Sequence, residues 1–378
     1  MLDLNQIRQE IDDIDNQILS LYQKRMEKAK EVAEYKIHIG KPVLDKEREK
    51  QKIEALTNQA SNEFHRHGIE GLFSQLMAIS RKLQYQILQK NGILEPVSFQ
   101  QVPSVKIENQ KVRVVFQGVE GAYSQVAMKK YFGEQVISCH VATWAEAMEL
   151  VQEEKVDFAV LPIENSTSGF VGDIYDLLTE YDNVIVGEVY IKVSHALLGV
   201  AGATKESIKT VYSHPQGFLQ CSEYLKQHKN WNIVSQLNTA ISAKKVLEDN
   251  QISQGAIASE FAAKTYGLTI IEKEINDDKS NTTRFVIITK NKIYEEHANK
   301  VSIYFEVEHE SGSLYSILSH FMFHHINITK IQSRPIKNKP FEYGFFLDFE
   351  GNLNDSFVNN VLQGVKEEVI KFKILGNY

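Results

Sequence analysis

The amphipathic pattern at the start of the chain constrains the fold more than any other feature of the sequence. It extends over about 35 residues, and its apolar positions recur at the spacing of one helix face: Leu4, Ile7, Ile11, Ile14, Ile18, Leu21, Ala29 and Val32. The pattern predicts a helix from about Asp3 to Ile37, roughly 50 Å long at about 1.5 Å per residue. A helix of this length usually packs against a coiled partner or a second subunit.

Cations interrupt this apolar face. Arg25 and Lys36 lie within it, and Arg8 lies at its edge. A buried cation is paired, displaced toward water or kept for an anionic ligand, because an unpaired charge among apolar groups is costly. One such residue is typical of a stem that lies along apolar surface with its head in water. Three on one helix favour an anion-binding site.

The composition excludes several classes of function. The chain has 378 residues, enough for two or three domains, and a net charge of −7. That charge argues against a general nucleic-acid or membrane-surface binder, which would carry a basic excess. The acidic, polar start lacks the order of a secretory signal, and no apolar run approaches a membrane span, so we expect a cytoplasmic protein. With only Cys139 and Cys221, we expect neither a disulfide framework nor a structural zinc site.

Residues 1–92 show helical periodicity throughout and predict an all-α region of three helices. Gly40 and Pro42 end the first helix. The second is predicted to begin near Asp45, and the third to cover about Ile69 to Gln89. Three helices of this size cannot bury so long an apolar face alone. We therefore expect a homodimer or homotetramer in which the long helices pack across the subunit interface.

Two groups of polar side chains share faces of the second and third helices. Asp45, Arg48 and Glu49 lie three and four positions apart on one turn, and Ser80 and Gln84 lie four apart. Either group alone is typical of an ordinary helix surface. Together with the three cations of the first helix, they resemble the active site of the all-helical chorismate mutase family, as does the Lys41–Val43 approach to Asp45.

This resemblance implies the rearrangement of chorismate, a dicarboxylate, to prephenate without a covalent enzyme intermediate. The site would hold the substrate in its folded conformer and stabilise the charge that develops. By the same resemblance, Arg25 and Arg8 of the partner subunit bind the two carboxylates. Arg48 supports this cluster, and Ser80 contributes a hydrogen-bond donor.

The remaining mutase residues are assigned by the resemblance to the bond that breaks and to the ring. Lys36 and Gln84 donate to the ether oxygen, on which negative charge develops. Glu49 and the backbone of Asp45 bind the ring hydroxyl. Gln84 would donate through its amide at any pH.

Residues 93–110 contain two of the seven prolines and no sustained periodicity, which predicts a linker. Residues 111–290 alternate β-branched runs with helical stretches and predict an α/β region. The candidate strands are Val112–Phe116, Val136–His140, Phe158–Leu161, Val184–Val189, Ala196–Val200, Ala256–Ala258 and Arg284–Ile288. Gly118 and Gly121 form only a GxxG pattern rather than the dinucleotide fingerprint, so we expect no nicotinamide, and we predict no other cofactor and no metal.

Three polar segments adjoin candidate strands, where open α/β sheets bind ligands. They are Pro162–Gly169, expected at a helix N-terminus; Tyr212–Gln216, expected to lead into a helix carrying Gln220; and Asn281–Phe285, expected to enter the last strand. Each alone is typical of a helix cap or a polar turn. Together with Gly118–Ser124, they resemble prephenate dehydratase over the whole region.

The dehydratase resemblance implies two α/β lobes with prephenate between them and the loss of CO₂ and the ring hydroxyl to give phenylpyruvate. Thr283 is the candidate general acid for the leaving hydroxide. Three further residues would bind and polarise the substrate: Asn165, Ser213 and Gln220. Arg284 would clamp a carboxylate, and Glu164 would support the loop. We interpret His214, which precedes a proline at a helix start, as structural.

Residues 299–378 have the pattern strand, helix, strand, strand, helix, strand, the split βαβ order of an α+β ferredoxin-like fold. This region resembles the ACT domain, which binds phenylalanine in dehydratases of this type. The family's Gly-Ala-Leu element appears as Gly312–Leu314 and its Glu-Ser-Arg-Pro element as Gln332–Pro335. The resemblance implies a phenylalanine site formed by Gly312, Ser313, Leu314, Asn327, Ser333 and Arg334.

The three regions together predict a bifunctional enzyme of phenylalanine biosynthesis, a chorismate mutase and prephenate dehydratase inhibited by phenylalanine. Its expected partners are chorismate, prephenate, phenylalanine and further copies of itself, with neither nucleic acid nor membrane. Two alternatives remain open. One is a non-catalytic small-molecule sensor, because two-lobed α/β folds also capture ligands. The other joins the mutase to an NAD-dependent prephenate dehydrogenase, against which the missing dinucleotide fingerprint argues.

Overall fold

The computed structural model describes residues 3–93, 97–105 and 112–378. The helices are α1 (Leu4–Ile39), α2 (Lys46–Thr57), α3 (Glu63–Lys90), α4 (Tyr123–Phe132), α5 (Trp144–Gln152), α6 (Gly172–Glu180), α7 (Pro215–Leu219), α8 (Ser222–Lys226), α9 (Thr239–Asp249), α10 (Glu260–Tyr266), α11 (Ser313–Phe323) and α12 (Ser356–Glu368). None of the helices in these parts of the chain combines the length and apolarity needed to cross a bilayer.

Short strands alternate with the helices from residue 100 onward. They are β1 (Gln100–Val102), β2 (Arg113–Gln117), β3 (Ile137–Val141), β4 (Phe158–Asn165), β5 (Gly169–Phe170), β6 (Val184–Lys192), β7 (His195–Gly199), β8 (Thr210–Ser213), β9 (Asn232–Ser235), β10 (Gln254–Ser259), β11 (Thr269–Glu272), β12 (Thr282–Thr289), β13 (Ile293–Glu295), β14 (Lys300–Glu306), β15 (Ile328–Pro335), β16 (Tyr343–Glu350) and β17 (Lys371–Asn377). Contacts divide the chain into a first unit, Met1–Ser98 with Tyr304–Phe372, and a second unit, Phe99–Ile303 with Lys373–Tyr378.

The ends of the three N-terminal helices are set by their caps. Asp3 caps α1 by accepting from the backbone of Asn5, and Gly40, with a φ of 65°, ends it. Asp45 caps α2, as the sequence predicts. Helix α3 begins earlier than the predicted Ile69, because Asn62 caps a polar first turn that carries no apolar periodicity. The all-α prediction for this region is confirmed.

Much of the long apolar face of α1 is exposed in a single chain. The exposed fractions are 58% for Leu4, 50% for Ile11, 54% for Ile14, 55% for Ile18 and 64% for Leu21. The C-terminal half of the helix packs differently. Ala33 contributes to a small core with Val43, Tyr85 and Leu88. The first half of the face therefore finds no cover among the described residues of its own unit.

The segment 300–377 has the predicted order of strand, helix, strand, strand, helix and strand, and its first and last strands, β14 and β17, are divided between the two units. Its strands lie side by side in the order β15, β16, β14, β17. β15 pairs antiparallel with β16, with Ser333 opposite Phe345. Phe321 of α11 packs against Phe349 of β16, with their ring centroids 5.0 Å apart.

Lys82 of α3 is buried against α11. Its ammonium donates to the Ser319 carbonyl at 2.9 Å and lies 5.1 Å from the ring centroid of Phe323. Burial lowers the pKa of Lys82 to about 8, while Glu368 opposes the shift and Arg81 adds to it. This lysine therefore holds its proton less tightly in the folded protein than in the unfolded chain.

This shift predicts a pH dependence of stability. Between the folded pKa of about 8 and the ordinary value of 10.5, the unfolded chain binds more protons, so the unfolding free energy rises with pH. Lys82 accounts for a rise of about 3 kcal/mol in the unfolding free energy across this range. Below pH 8 the lysine is protonated in both states, so it contributes no pH dependence there. Urea unfolding between pH 7.5 and 10 should show a shallower rise for Lys82→Met, whereas Lys90→Met, at an exposed position, should keep it. Equal slopes in all three proteins would contradict the prediction.

The second unit contains two sheets with separate cores. One has the order β11-β7-β10-β8-β9, and in the other β6, β12, β4, β2 and β3 are neighbours. One core contains Val114 and Phe285, and the other contains Leu198 and Ala256. Every candidate strand predicted in this region is present, which confirms its α/β class.

The sequence pattern missed several strands of the second unit. β9 and β11 lie at the two edges of their sheet and carry little buried apolar surface. β1 falls inside the predicted linker 93–110 and pairs in parallel with β13. Segments of three or four residues are too short to show an alternating pattern. Their pairing with strands that are distant in the chain cannot be read from the local sequence. Residues 94–96 and 106–110 of the predicted linker lie outside the described residues.

Candidate active sites and regulatory site

Arg25 and Ser80 meet between α1 and α3. The guanidinium of Arg25 donates to the hydroxyl of Ser80 and, at 2.8 Å, to the carbonyl of Leu76. Burial lowers the pKa of Arg25, and the charge of Glu49 opposes that shift. Arg25 is half-buried, as its place in the apolar face predicts. Among the residues that the structure describes, its hydrogen-bond acceptors are both neutral.

Lys36, in the last turn of α1, is in a similar environment. It is half-buried, and its ammonium donates to the Val43 carbonyl. Burial lowers the pKa of Lys36, while the charges of Asp45, Glu49 and Glu367 raise it. The loop after α1 and the start of α2 therefore place carboxylates near this cation. Asp45 itself is exposed and accepts from the Arg48 backbone as the cap of α2.

Gln84 is buried on α3, one turn after Ser80. Its exposed fraction is 6%, and its Oε1 atom has no hydrogen-bond partner among the described residues. Buried polar atoms are usually hydrogen-bonded, so this oxygen can still accept from a water molecule or a ligand. Arg8 and Arg48 are exposed, and within the described residues of this chain neither guanidinium has a protein partner. In the single chain, Arg25 contacts Ser80, and the charge of Glu49 acts on both Arg25 and Lys36.

Arg81 is a residue of this region that the sequence reasoning missed. Its guanidinium donates to Glu49 of α2 and, at 2.9 Å, to Glu368 of α12. The sequence signal that could have identified Arg81 is the one that identifies Arg25, a cation on an apolar helix face. Arg81 lies four residues from both Met77 and Tyr85, which are buried, so it too is a cation on an apolar helix face.

Asn165 and Thr283 lie opposite each other in the antiparallel pair β4 and β12. The Asn165 amide donates to the Thr283 hydroxyl oxygen at 2.9 Å and to the Asn281 side chain at 2.7 Å. Because that oxygen accepts from Asn165, the threonine O–H remains oriented for donation elsewhere. Asn165 is buried and Thr283 is partly exposed. The Thr283 hydroxyl is therefore accessible and has a fixed hydrogen-bond donor on one side.

The loop after Asn165 differs from the prediction. We expected Pro162–Gly169 to lead into a helix N-terminus, but β5 intervenes before α6. The cause is the Asn165 side chain, whose Oδ1 accepts from the backbone N–H groups of Thr167 and Ser168 at 3.0 and 2.9 Å. This turn reverses the chain so that β5 pairs with β4.

Gln220 immediately follows α7 and contacts a histidine that the sequence reasoning missed. Its Oε1 lies 2.9 Å from Nε2 of His195, whose Nδ1 is 3.4 Å from the Tyr123 hydroxyl. Burial lowers the pKa of His195, and the hydrogen bond to Gln220 opposes this shift. We assign the proton of the neutral ring to Nε2, since Gln220 presents an acceptor. A lone histidine at the start of an apolar strand gives no motif, so only the fold reveals this contact.

Ser213 does not reach the surface of the second unit. It is fully buried, and its hydroxyl donates to the Ile257 carbonyl at 2.8 Å. Gly217 leaves room for that hydroxyl, because a Cβ there would lie 2.5 Å from Ser213 Oγ. The structure therefore does not support the predicted contact of Ser213 with substrate. The adjacent His214 accepts from the Gln216 backbone as the cap of α7, in line with its structural interpretation.

Arg284 points away from Thr283, because successive side chains of a strand face opposite sides of the sheet. Its guanidinium donates to Glu188 at 2.7 Å and to the Tyr378 hydroxyl at 2.8 Å, and it lies 3.7 Å from Glu164. Its exposed fraction is 6%. Carboxylates of the protein already neutralise this cation, so the geometry does not support the predicted carboxylate clamp. Glu164 contacts Arg284, as a supporting residue would.

A cavity of about 330 Å³ lies beside the start of α11 in the first unit. Its lining residues are Val307, Glu308, His309, Glu310, Ser311, Ser313, Leu314, Glu342, Tyr343 and Phe345. Gly312 precedes the helix with a φ of 86°, a left-handed conformation that disfavours other residues. The structure thus places Ser313 and Leu314 at a cavity. Asn327 instead donates to Glu350, and neither Ser333 nor Arg334 lines the cavity in one chain.

Comparison with known proteins relates both regions to families. Residues 7–85 match chorismate mutase type II, and residues 114–293 match prephenate dehydratase. The bifunctional chorismate mutase/prephenate dehydratase of Buchnera aphidicola subsp. Schizaphis graminum is 33% identical, covering 100% of this chain and 96% of that protein. The enzyme of the same description from Escherichia coli K12 is 32% identical, covering 98% and 95%.

A solved structure is also similar. The prephenate dehydratase from Arthrobacter aurescens in complex with L-Phe has a TM-score of 0.66 and 27% identity, covering 71% of this chain and 90% of that one. These similarities confirm the prediction of an enzyme with mutase and dehydratase activities in phenylalanine biosynthesis. This chain belongs to the bifunctional chorismate mutase/prephenate dehydratase family.

Proposed function

We propose that the chain converts chorismate to prephenate between α1, α2 and α3, and prephenate to phenylpyruvate beside β4 and β12. The observation that carries the proposal is that one chain contains both sets of groups. The first unit has two half-buried cations, and the second unit has an amide-to-threonine hydrogen bond. Arg25 and Lys36 supply positive charge for a dicarboxylate. Asn165 and Thr283 supply a polarised proton donor.

The mutase needs only positioning and electrostatic stabilisation. Arg25 binds one carboxylate of chorismate through its planar fork, with Ser80 beside it. Lys36 and Gln84 donate to the ether oxygen as its bond breaks, and Glu49 accepts from the ring hydroxyl. Half-burial strengthens these interactions, because surrounding water screens them less.

We infer that a second subunit completes this site. The exposed apolar positions of α1, with exposed fractions of 50% at Ile11 and 64% at Leu21, provide the surface for an antiparallel or crossed helix pair. Arg8, on the same helix, is exposed in the single chain. In a homodimer or homotetramer, Arg8 of the partner subunit would bind the second carboxylate.

The dehydratase step needs a proton for the leaving hydroxyl. As the bond from the ring to its carboxylate breaks, the electron pair moves into the ring, CO₂ departs and the hydroxyl leaves as water with the Thr283 proton. Asn165 stabilises the resulting threonine oxygen by the hydrogen bond already present. Gln220, whose side chain contacts His195, would bind prephenate.

Residues 299–378 are proposed to form an ACT regulatory domain with the α+β ferredoxin-like fold, after a mutase domain at 1–92, a linker at 93–110 and a dehydratase domain at 111–290. The strand order β15, β16, β14, β17 supports this assignment. The cavity at Ser313 and Leu314 is the candidate phenylalanine site, and the similar dehydratase was solved with L-Phe. A partner's Asn327, Ser333 and Arg334 would complete it.

One assay tests the whole proposal. Chorismate supplied to the purified protein should lose its ultraviolet absorbance and yield phenylpyruvate, and phenylalanine should lower the rate with added prephenate by shifting a conformational equilibrium. Leu314→Ala, in the cavity, should weaken this inhibition while leaving the uninhibited rate unchanged. A pure binding protein would leave the chorismate spectrum unchanged. An NAD-dependent product would instead support the dehydrogenase alternative.

A further inference from the structure

A buried ion-pair network connects the C-terminal helix α12 with the mutase helices. Arg81 of α3 lies at its centre and bonds to Glu49 and to Glu368. The exposed fractions of the side chains are 7% for Arg81, 7% for Glu368 and 25% for Glu49. All three residues belong to the first unit. A charge network at this depth is sensitive to the loss of any member, because the remaining charges would be unpaired.

Glu368 is the anchor of this network. His320 lies 3.0 Å from its Oε1 atom, and the Ser316 hydroxyl donates to its Oε2 atom at 3.0 Å. Burial alone would raise the pKa of Glu368, but His320 and Arg81 lower it to about 2. The carboxylate is therefore ionised throughout the range in which enzymes of this kind work. Both contacts come from α11 in the C-terminal part of the chain.

Arg81 restricts the side chain of Glu49. Burial would lower the pKa of Arg81, but Glu368 and Glu49 outweigh it and raise that pKa, so the guanidinium stays charged. It spans the two carboxylates through different nitrogens, Nε toward Glu368 and Nη1 toward Glu49. Among the parts of the chain that the structure describes, only Oε2 of Glu49 accepts a hydrogen bond. Its Oε1 atom has no hydrogen-bond partner among the described residues and remains available to accept from a ligand.

We propose that Arg81 is a positioning residue of the mutase site and that Glu368 holds it, so that the C-terminal region sets the orientation of Glu49. The inference rests on the proposed role of Glu49 in binding the ring hydroxyl of chorismate. Arg81 acts through Glu49 and has no contact with substrate. An orientation error of about 1 Å in such a group can reduce the rate about 100-fold.

The test uses the full-length protein with Glu368→Gln, which keeps the shape of the side chain and removes its charge. We expect mutase kcat/KM to fall about 10- to 100-fold, while the dehydration of added prephenate in the same sample is unchanged. Arg81→Lys, which keeps the charge but cannot span two carboxylates, should reduce the mutase to a similar extent. The matched control is Glu54→Gln, an exposed carboxylate of α2. It should leave both activities unchanged.

A double-mutant cycle separates positioning from a general structural effect. If Glu368 acts through Glu49, then adding Glu368→Gln to Glu49→Gln should cause no further loss. Independent, multiplying losses would overturn the proposal, as would a normal mutase rate in Glu368→Gln beside an impaired Glu49→Gln. A normal rate in Glu49→Gln itself would overturn the proposed mutase site as well. If Glu368→Gln also loses its dehydratase activity through misfolding, Arg81→Lys takes its place in the cycle and decides the question.

Discussion

Arg25→Ala is expected to lower mutase kcat/KM about 1000-fold while leaving the dehydration of added prephenate unchanged. Arg25 is a half-buried cation whose protein partners are the neutral Ser80 hydroxyl and Leu76 carbonyl. Removing it leaves a carboxylate of chorismate without its charge partner where water screens poorly. The mutase kcat/KM of Arg25→Lys should lie between those of the wild-type protein and Arg25→Ala, because lysine keeps the charge but lacks the planar fork. The loss of chorismate absorbance and the appearance of phenylpyruvate measure the two activities separately.

The control for Arg25 is Lys28→Ala three residues later. Lys28 is exposed and pairs with Glu31 at 2.7 Å, so its loss should change neither activity. Mixing the inactive Arg8→Ala and Arg25→Ala proteins should restore about a quarter of the mutase activity, since half of the dimers are mixed and each has one intact site. Loss of both activities in a folded Arg25→Ala protein would contradict two independent sites. Failure of the mixture to recover would exclude Arg8 of the partner subunit.

Thr283→Ala is expected to reverse this pattern, reducing the dehydratase about 10²- to 10⁴-fold with normal mutase turnover. The variant loses the only proton that the Asn165–Thr283 pair can deliver to the leaving hydroxyl. Thr283→Ser should retain most of the activity, because it keeps the hydroxyl. The phenylpyruvate formed from prephenate is the measurement.

Thr282→Ala is the neighbouring control for this experiment. The Thr282 hydroxyl donates to the Ser280 carbonyl at 2.8 Å and not to Asn165, so the dehydratase rate should change little. An unimpaired Thr283→Ala protein would show that another group protonates the leaving hydroxyl. The buried His195 beside Gln220 would then be the next residue to replace.

Local sequence signals were sufficient for most elements. The period of α1, its Asp3 cap and Gly40 terminus depend on residues within a few positions of each other. The same holds for the strand β12, which begins at Thr282. The polar segment Asn281–Phe285, at the start of this strand, pointed to Thr283 as a candidate site residue. Short edge strands such as β9 escaped because their backbone pairing, rather than their own side chains, defines them.

Site residues were harder to predict, because a residue type does not reveal its neighbours. Ser213 belongs to a motif that suggests catalysis, yet its hydroxyl is bonded to Ile257, which is distant in sequence. Arg284 follows Thr283 directly, but strand alternation places it against Glu188. Arg81 was visible only as a cation on an apolar face, with nothing to indicate its two carboxylates.

Periodicity and caps by themselves determined an all-α region followed by an α/β region, and the motifs of these two regions resembled the family that the comparisons show. Tertiary packing alone decided which polar groups are available to a ligand. The physical reason is that the strength and availability of a charge or hydroxyl depend on burial and on partners brought together from distant parts of the chain. Arg25 is left with neutral acceptors in its own chain, whereas Arg284 and Arg81 are each bonded to carboxylates.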